Sequence, residues 1–429
     1  MLNSSNYKFS RIITDLSNGL PIIIKDDKKK SLIIAIDSNN QDILSYITRN
    51  NLENSDLKTD KISLLLTNKR INYLIKSSGN KIPNHDLLSF KNIMISDFDH
   101  KSRVNLEIIN AISGMDQQKS ADLAKLIDND TINIIKNIKK STDITESFNQ
   151  CLLSLAKIGE ILPAFIHSDD INTIIHIKDL LGDIPIQEID IENVSAYHDH
   201  AIISQICSAP LILEDSTNKA IKANIHVFRS HLKEHYAIVL LPQSYSNDDP
   251  NLESDCNHKL DHYNYRTTIL NPLVRLHSSC FTGDVLRSIK CDCYSQLHKA
   301  LDIISQDNQG GILLYLNQEG RSIGLSNKLR TYYLQEYETL DTVEANQAIG
   351  LNDDARDFKI AAQMLIALGI NQIKLLSNNP DKSLILKNHG IKISENIVHI
   401  AATNDEAKNY LKTKMLKLGH TNFNELFKI

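Results

Sequence analysis

Gly311-Ile312-Leu313-Leu314-Tyr315-Leu316, running into Asn317-Gln318-Glu319-Gly320-Arg321, orders the rest of the chain. An unbroken apolar run bounded by glycine and a polar turn reads as a short strand buried on both faces. The turn feeds Arg321 to Glu336, which reads as a helix. Ala355 to Leu368 reads as another, with Phe358, Ala361, Ala362, Leu365 and Leu368 on one face and Gly369 where a helix-ending glycine belongs. Ile373 to Leu376 is the next strand, Leu384 to Asn388 a short helix before Gly390, and Ile391 to Val398 a further strand. Strands alternating with helices predict an α/β unit.

Upstream, this unit extends back to about Ile202 through strand-like Ala223 to Phe228 and Tyr236 to Leu241. The polar stretch Gln243 to His262 interrupts it. Before residue 202, Ile22-Ile23-Ile24 and Leu32-Ile33-Ile34-Ala35-Ile36 flank the charged run Lys25 to Lys30 as strand, turn, strand. Thr145 to Leu162 has helical spacing, with Pro163 placed to stop it. The expected fold class is α/β (α+β) in two domains, 1–201 and 202–429, the second with a mixed sheet and flanking helices.

A chain of 429 residues is too long for one ordinary core, and 41% hydrophobic with 23% charged residues is the composition of a globular protein. The net charge of -5 argues against a general nucleic-acid or membrane-surface partner, while a nucleotide needs only a local cluster of positive charge. No segment approaches the roughly 18 to 20 apolar residues of a membrane helix, and Met1 to Arg11 lacks the apolar core of a signal peptide. A cytoplasmic protein is expected. Six cysteines are too sparse for a disulfide framework, yet Cys280, Cys291 and Cys293 crowd into one stretch.

That crowding suggests a metal. In an extended loop residues two apart point the same way, so Cys291 and Cys293 can chelate one ion, with Cys280 returning through the turn at Gly283-Asp284. Three thiolates leave the fourth tetrahedral position of Zn²⁺ open for water, as catalytic sites require. Two rivals are ordinary buried thiols and a closed structural site with His277 as fourth ligand. Gln318-Glu319-Gly320-Arg321 and Ser377-Asn378-Asn379-Pro380-Asp381-Lys382 each follow a strand. If those strands are parallel, both loops lie at their carboxyl ends, where open α/β sheets place ligands. Asn352-Asp353-Asp354-Ala355-Arg356-Asp357 opens a helix, either as an ordinary acidic first turn or as an irregular start where Asp354 and Arg356 cooperate.

Val274-Arg275-Leu276-His277-Ser278-Ser279-Cys280-Phe281-Thr282-Gly283-Asp284 with Cys291-Asp292-Cys293 resembles the zinc segment of the GTP cyclohydrolase II family. The similarity continues collinearly through Leu314 to Leu325, Asn327-Lys328-Leu329-Arg330, Asp341 to Asn346, Asp354 to Phe358 and Ser377 to Pro380, ending with Lys412-Thr413-Lys414 and Gly419-His420. It covers roughly 202 to 420, on both sides of Gln243 to His262, which is therefore taken as an insertion.

The resemblance implies a Zn²⁺ ion on Cys280, Cys291 and Cys293, with water attacking the carbon between the imidazole nitrogens of GTP. The ring opens, formate and pyrophosphate leave, and riboflavin synthesis begins; Mg²⁺ accompanies the triphosphate. Arg356 matches the residue proposed to attack the α-phosphorus, with Asp354 as its proton acceptor. Because an arginine side chain stays protonated to above about pH 12, a phosphate-clamping role is the conservative alternative. Arg275, Gln296, Glu319, Gly320, Arg321, Thr342, Ser377 and Lys382 match nucleotide contacts, Tyr332 matches an aromatic ring near guanine, and His277 and Ser279 join the substrate-binding set. A homodimer is also implied.

Three positions depart from the family. Ser279 replaces the usual Glu, Ser377 replaces Thr while keeping the hydroxyl, and Tyr294 stands where Gly is usual. Further upstream, Ile13 to Asp27 resembles the opening of 3,4-dihydroxy-2-butanone-4-phosphate synthase, whose next loop supplies carboxylates for Mg²⁺. Here the chain continues Lys28-Lys29-Lys30-Ser31-Leu32-Ile33, without those hard oxygen ligands, so a degenerate domain is expected. The alternatives are a bifunctional enzyme and a catalytically impaired GTP-binding zinc protein.

Overall fold

The computed structural model describes residues 4–27, 29–38, 41–50, 61–77, 90–94, 106–116, 145–194, 203–230, 233–241, 271–352, 354 and 356–399. The polar stretch Gln243 to His262 and the motifs near 412–420 lie outside them. The chain divides into two compact units, the first made of Met1–Ala201 plus Ser322–Ala355, the second of Ile202–Arg321 plus Arg356–Ile429.

Unit 1 opens with helix α1 (Ser4–Ser17), strands β1 (Ile22–Asp26) and β2 (Lys29–Ala35), α2 (Asp42–Asn50), β3 (Ser63–Thr67), α3 (Asn68–Ser77), β4 (Phe90–Met94) and α4 (Leu106–Ser113). It continues with α5 (Glu146–Gly159), β5 (Ala164–Ser168), α6 (Ile171–Leu181) and β6 (Gln187–Asp190). The strands form one sheet in the order β4-β3-β5-β2-β1-β6, antiparallel except for the β1–β6 pair. Its apolar runs are continuous because both faces are buried. Ile23, Leu32, Ile34, Leu64 and Ile166 enter one core, and Ile22, Ile24, Ile33, Leu65 and Phe165 the other. The expected β1–turn–β2 is present. Helix α5 starts on a Thr145 cap that accepts from the Phe148 amide at 3.2 Å. It ends at Glu160, which turns left-handed (φ 53) before Pro163 is reached.

Unit 2 begins with β7 (Ser204–Glu214), β8 (Ala220–Arg229), β9 (Glu234–Leu240) and β10 (Leu273–Ser278), then α7 (Cys293–Gln306) and β11 (Gly311–Leu316). The chain next contributes α8 (Leu325–Tyr337) and α9 (Thr342–Ala348) to unit 1. It returns to unit 2 as α10 (Lys359–Ala367), β12 (Gln372–Leu376), α11 (Pro380–Asn388) and β13 (Lys392–Ile397). The sheet order is β13-β12-β10-β11-β9-β8-β7. Strands β10 to β13 run parallel, and the meander β7–β9 joins antiparallel at β11. The mixed sheet and α/β class agree with expectation.

Several helix starts differ from the sequence reading. Helix α8 begins at Leu325 rather than Arg321, because Gly320, Arg321 and Ser322 all adopt positive φ (59, 62 and 68). Such a left-handed run cannot be the first turn of a right-handed helix. Helix α10 begins at Lys359 rather than Ala355, after the Asp357 carboxylate accepts from the Lys359 amide at 2.9 Å. The described residues 352, 354, 356 and 357 therefore precede the helix rather than forming an acidic first turn. Helix α11 starts earlier than Leu384, with Asn379 capping the Asp381 amide at 2.8 Å and Pro380 at the first position. The expected apolar face of α10 is buried, and Gly369 follows the helix at φ 78.

Candidate metal centre and anion site

Because β10, β11 and β12 are parallel, the segments after them emerge at one edge of the unit 2 sheet. These are Ser279-Cys280, Asn317 to Arg321 and Ser377 to Lys382, so the two ligand loops do share the carboxyl ends.

The Sγ atoms of Cys280, Cys291 and Cys293 lie within 4.8 Å of one another, and the first two are 3.7 Å apart. Tetrahedral zinc with Zn–S bonds near 2.3 Å requires sulfurs about 3.8 Å apart, a spacing that the Cys280–Cys291 pair has and that leaves the third sulfur within reach of the same ion. A single π-helical turn, Phe281–Val285, brings Cys280 back towards the other two. A Cβ on Gly283 would lie 2.8 Å from Cys291 Sγ and 2.9 Å from Cys280 Sγ, so the backbone itself forms the floor of the centre. One expectation is corrected. Cys291 and Cys293 are not in an extended loop, because Asp292 (φ -97, ψ 10) turns the chain into α7, which Cys293 opens. Sharing a hydrogen bond with Cys280 pushes Cys291 up to about 11, and the thiols of Cys280 and Cys291 push Cys293 well above its usual value. Without a cation, the crowded sulfurs hold their protons.

His277 is engaged elsewhere. Its Nε2 lies 3.1 Å from Asp284 Oδ2, and Asp284 also accepts from the Cys280 amide at 3.0 Å and from the Tyr315 hydroxyl at 2.9 Å. The His277 ring stacks on Tyr315 at 5.6 Å. Among the described residues, the metal-range cluster contains the three cysteines and no fourth side chain. Asp284 and Tyr315 orient the Cys280 turn. Sequence reasoning did not single out their roles, because they depend on pairing across β10 and β11.

Arg275 is buried, with guanidinium donors to Leu376 O at 3.0 Å and Gln296 Oε1 at 2.7 Å, while its Nε has no hydrogen-bond partner. Burial lowers its pKa to about 10, and the neighbouring Arg356 charge acts in the same direction. Lys382, also buried, donates to Leu276 O at 2.8 Å. Phe358 lies under both Lys382 Nζ (5.3 Å) and the Arg356 guanidinium (5.1 Å). Three neighbouring cations on one sheet edge, two of them buried, suit a polyanion.

The remaining unit 2 candidates tie these parts together. Glu319 accepts from the Phe281 amide at 2.6 Å and the Gly320 amide at 3.1 Å, fastening the β11 loop to the cysteine turn. The Ser279 hydroxyl accepts from the Gln318 amide at 3.1 Å, so its oxygen is committed to the backbone. Gln296 donates to Asp292, and Ser377 Oγ accepts from the Asn379 amide at 3.1 Å. Arg321 leads out of the loop in left-handed conformation. Tyr294 stacks under the Arg287 guanidinium at 4.2 Å and against His298 at 4.1 Å, so its ring packs on the segment between Cys280 and Cys291.

Tyr332, Thr342 and Asp354 belong to unit 1. Tyr332 lies 5.7 Å from Lys328 Nζ. Thr342 opens α9 behind the Asp341/Glu344 capping box, and Asp354 is exposed. Among the described residues no helix is long and apolar enough to cross a membrane.

Residues 215–398 match the family model described as GTP cyclohydrolase II. A protein named GTP cyclohydrolase-2 from Neisseria meningitidis serogroup A is 52% identical over 151 residues, covering 35% of this chain and 76% of that protein. The riboflavin biosynthesis protein RibBA of Endomicrobium trichonymphae is 49% identical over 150 residues, and that of Bacillus velezensis 52% over 148. Each of these RibBA matches spans 37% of the relative's own length. A solved structure, RibBX, a two-domain 3,4-dihydroxy-2-butanone 4-phosphate synthase from A. baumannii, aligns with 92% of this chain at 13% identity. Its TM-score of 0.24 leaves that likeness without structural weight.

Proposed function

Since this chain belongs to the GTP cyclohydrolase II family, we propose that it opens the imidazole ring of GTP, releasing formate and pyrophosphate at the first step of riboflavin synthesis. The carrying observation is the set of three sulfurs within 4.8 Å of one another, with no fourth side chain among the described residues. The test is formate release from GTP by the full chain loaded with one zinc per subunit. No formate under those conditions sinks the reading.

Cys280, Cys291 and Cys293 would hold a zinc ion, which would supply Lewis-acid activation of water at the carboxyl ends of the strands. The chain's own groups do the rest. Arg275, Lys382 and Arg356 bind the triphosphate with its Mg²⁺, Gln296 orienting Arg275. Glu319 and Asp284 fix the Cys280 turn against the strand ends. By resemblance, Tyr332 faces guanine, Gly320, Arg321, Thr342 and Ser377 contact the nucleotide, and Asp354 accepts a proton next to Arg356. GTP and a second copy of the chain are the partners under this reading.

The high thiol pKa values have a measurable consequence. Each raised thiol is protonated at pH 7 and must lose its proton to bind the metal, so apparent zinc affinity rises with pH. Titrating metal-free protein with zinc at pH 7 in buffers of different ionisation enthalpy is expected to reveal release of at least about two protons. Fewer than one would mean the thiols are already ionised.

Arg356 can be assigned by a charge-conserving change. As a phosphate clamp, Arg356→Lys keeps the charge but loses the planar fork, raising the KM for GTP about tenfold while pyrophosphate release continues. Complete loss of pyrophosphate release would favour the covalent role.

The first 201 residues are assigned no synthase activity. Lys29 and Lys30, which stand where the synthase family has carboxylates, pair with Asp169 at 2.7 Å and Glu188 at 3.0 Å, and the nearby Lys25 pairs with Glu188 at 2.6 Å. Formation of the butanone phosphate from ribulose 5-phosphate would refute this.

A further inference from the structure

Ser322–Ala355 lies within the cyclohydrolase family match yet takes its contacts from unit 1. We infer that the first 201 residues serve as a mould for this segment, with Arg70, Thr67 and Asp37 as positioning residues for Tyr332, Thr342 and Asp354. The inference rests on the proposed function in counting those three among the substrate contacts.

Arg70 is 1% exposed. Its guanidinium donates to Ala111 O and Ile112 O, both at 2.8 Å, in the last turn of α4. It also donates to Ala348 O, at 2.6 Å, the final residue of α9. One cation thus closes the carbonyl ends of two helices, where the helix dipoles favour positive charge. Thr67 Oγ1 donates to Gly350 O at 3.1 Å, and a Cβ on Gly350 (φ +82) would come within 2.4 Å of that hydroxyl. Asp37 receives both terminal nitrogens of Arg330 at 2.8 and 2.9 Å and also accepts from the Leu162 amide at 2.9 Å. Asn327 donates to Glu160 O at 3.1 Å. Between these fastenings, Leu162 packs with Leu334, Ala345, Ala348 and Ile349.

The fastenings flank the site-bearing positions. Tyr332 sits between Arg330 and Leu334 on α8, Thr342 opens the helix whose other end Arg70 closes, and Asp354 follows Gly350 by four residues. The segment that carries all three is therefore fastened by residues outside the family match.

The test compares full-length, zinc-loaded wild type with Arg70→Met, Asp37→Asn, Thr67→Val and the conservative Thr67→Ser. Amide hydrogen exchange, zinc content and GTP kinetics are the readouts. Losing a charged hydrogen bond is expected to speed exchange in α9 and residues 349–352 by about tenfold or more, losing the neutral Thr67 bond by about threefold or more, and each to raise the KM for GTP similarly. Zinc content and exchange in β10 and β11 should hold, and Thr67→Ser should restore what Thr67→Val loses. Unchanged α9 exchange overturns the inference. So does loss spread equally over unit 2, or faster α9 exchange with an unchanged KM. If Arg70→Met fails to fold, the Thr67 pair carries the same comparison. If the wild type releases no formate, the functional reading fails. The exchange data and the affinity of each variant for GTP then decide the inference separately, and unchanged affinity overturns it.

Discussion

Cys291→Ser is expected to strip the protein of zinc and cut formate release from GTP by about three orders of magnitude or more. A serine hydroxyl does not ionise near neutral pH, so two sulfurs remain where the centre has three. The exchange is nearly isosteric at a buried position, and the fold should survive with a change within about 1 kcal/mol. GTP affinity should fall far less than turnover, since Leu376 O and Gln296 hold Arg275 and Leu276 O holds Lys382, none of which the substitution alters. Metal analysis, circular dichroism and single-turnover formate release separate these effects. A serine variant with wild-type zinc content and turnover would show that the cluster is ordinary packing.

Gly283→Ala tests the floor of the same centre without touching a ligand. The new methyl group would meet Cys291 Sγ at 2.8 Å, Cys280 Sγ at 2.9 Å and Cys293 Cβ at 2.9 Å. None of these is the loose end of a flexible side chain, because the sulfurs are fixed by each other and by the π-helical turn. Overpacking of this kind costs about 1–3 kcal/mol, so zinc should bind roughly ten- to a hundredfold more weakly, with formate release falling in parallel. Excess zinc should restore part of the rate, which distinguishes this variant from Cys291→Ser. Wild-type affinity in a competition titration against a chelator would mean that the turn opens freely.

The cysteine cluster, the strands Gly311–Leu316 and Gln372–Leu376 and the polar loops after them were legible because each depends on residue type at short spacing. Ile312 to Leu316 is too apolar and too short for anything but a buried strand, and that strand orders the unit. What escaped was backbone handedness and tertiary pairing. Arg321 and Ser322 carry no local mark of their positive φ, so the helix was placed four residues early. The Asp284 hub joins residues on three separate segments, and the Arg70 bridge joins positions 278 apart in sequence. No periodicity reports such contacts. Nor could sequence adjacency show that α8 and α9 pack in a different unit from the strand that precedes them.

The excursion of residues 322–355 makes this chain hard to dismantle genetically. It passes between the two units at three places, so no single break in the coding sequence yields two self-contained products. A gene that lost its first 201 codons would encode a cyclohydrolase segment stripped of the hydrogen-bond and apolar partners that now surround Leu334, Ala345 and Ile349. Thr67, Arg70 and Leu162 in that first stretch thus answer to the needs of a segment that lies more than a hundred and fifty residues downstream.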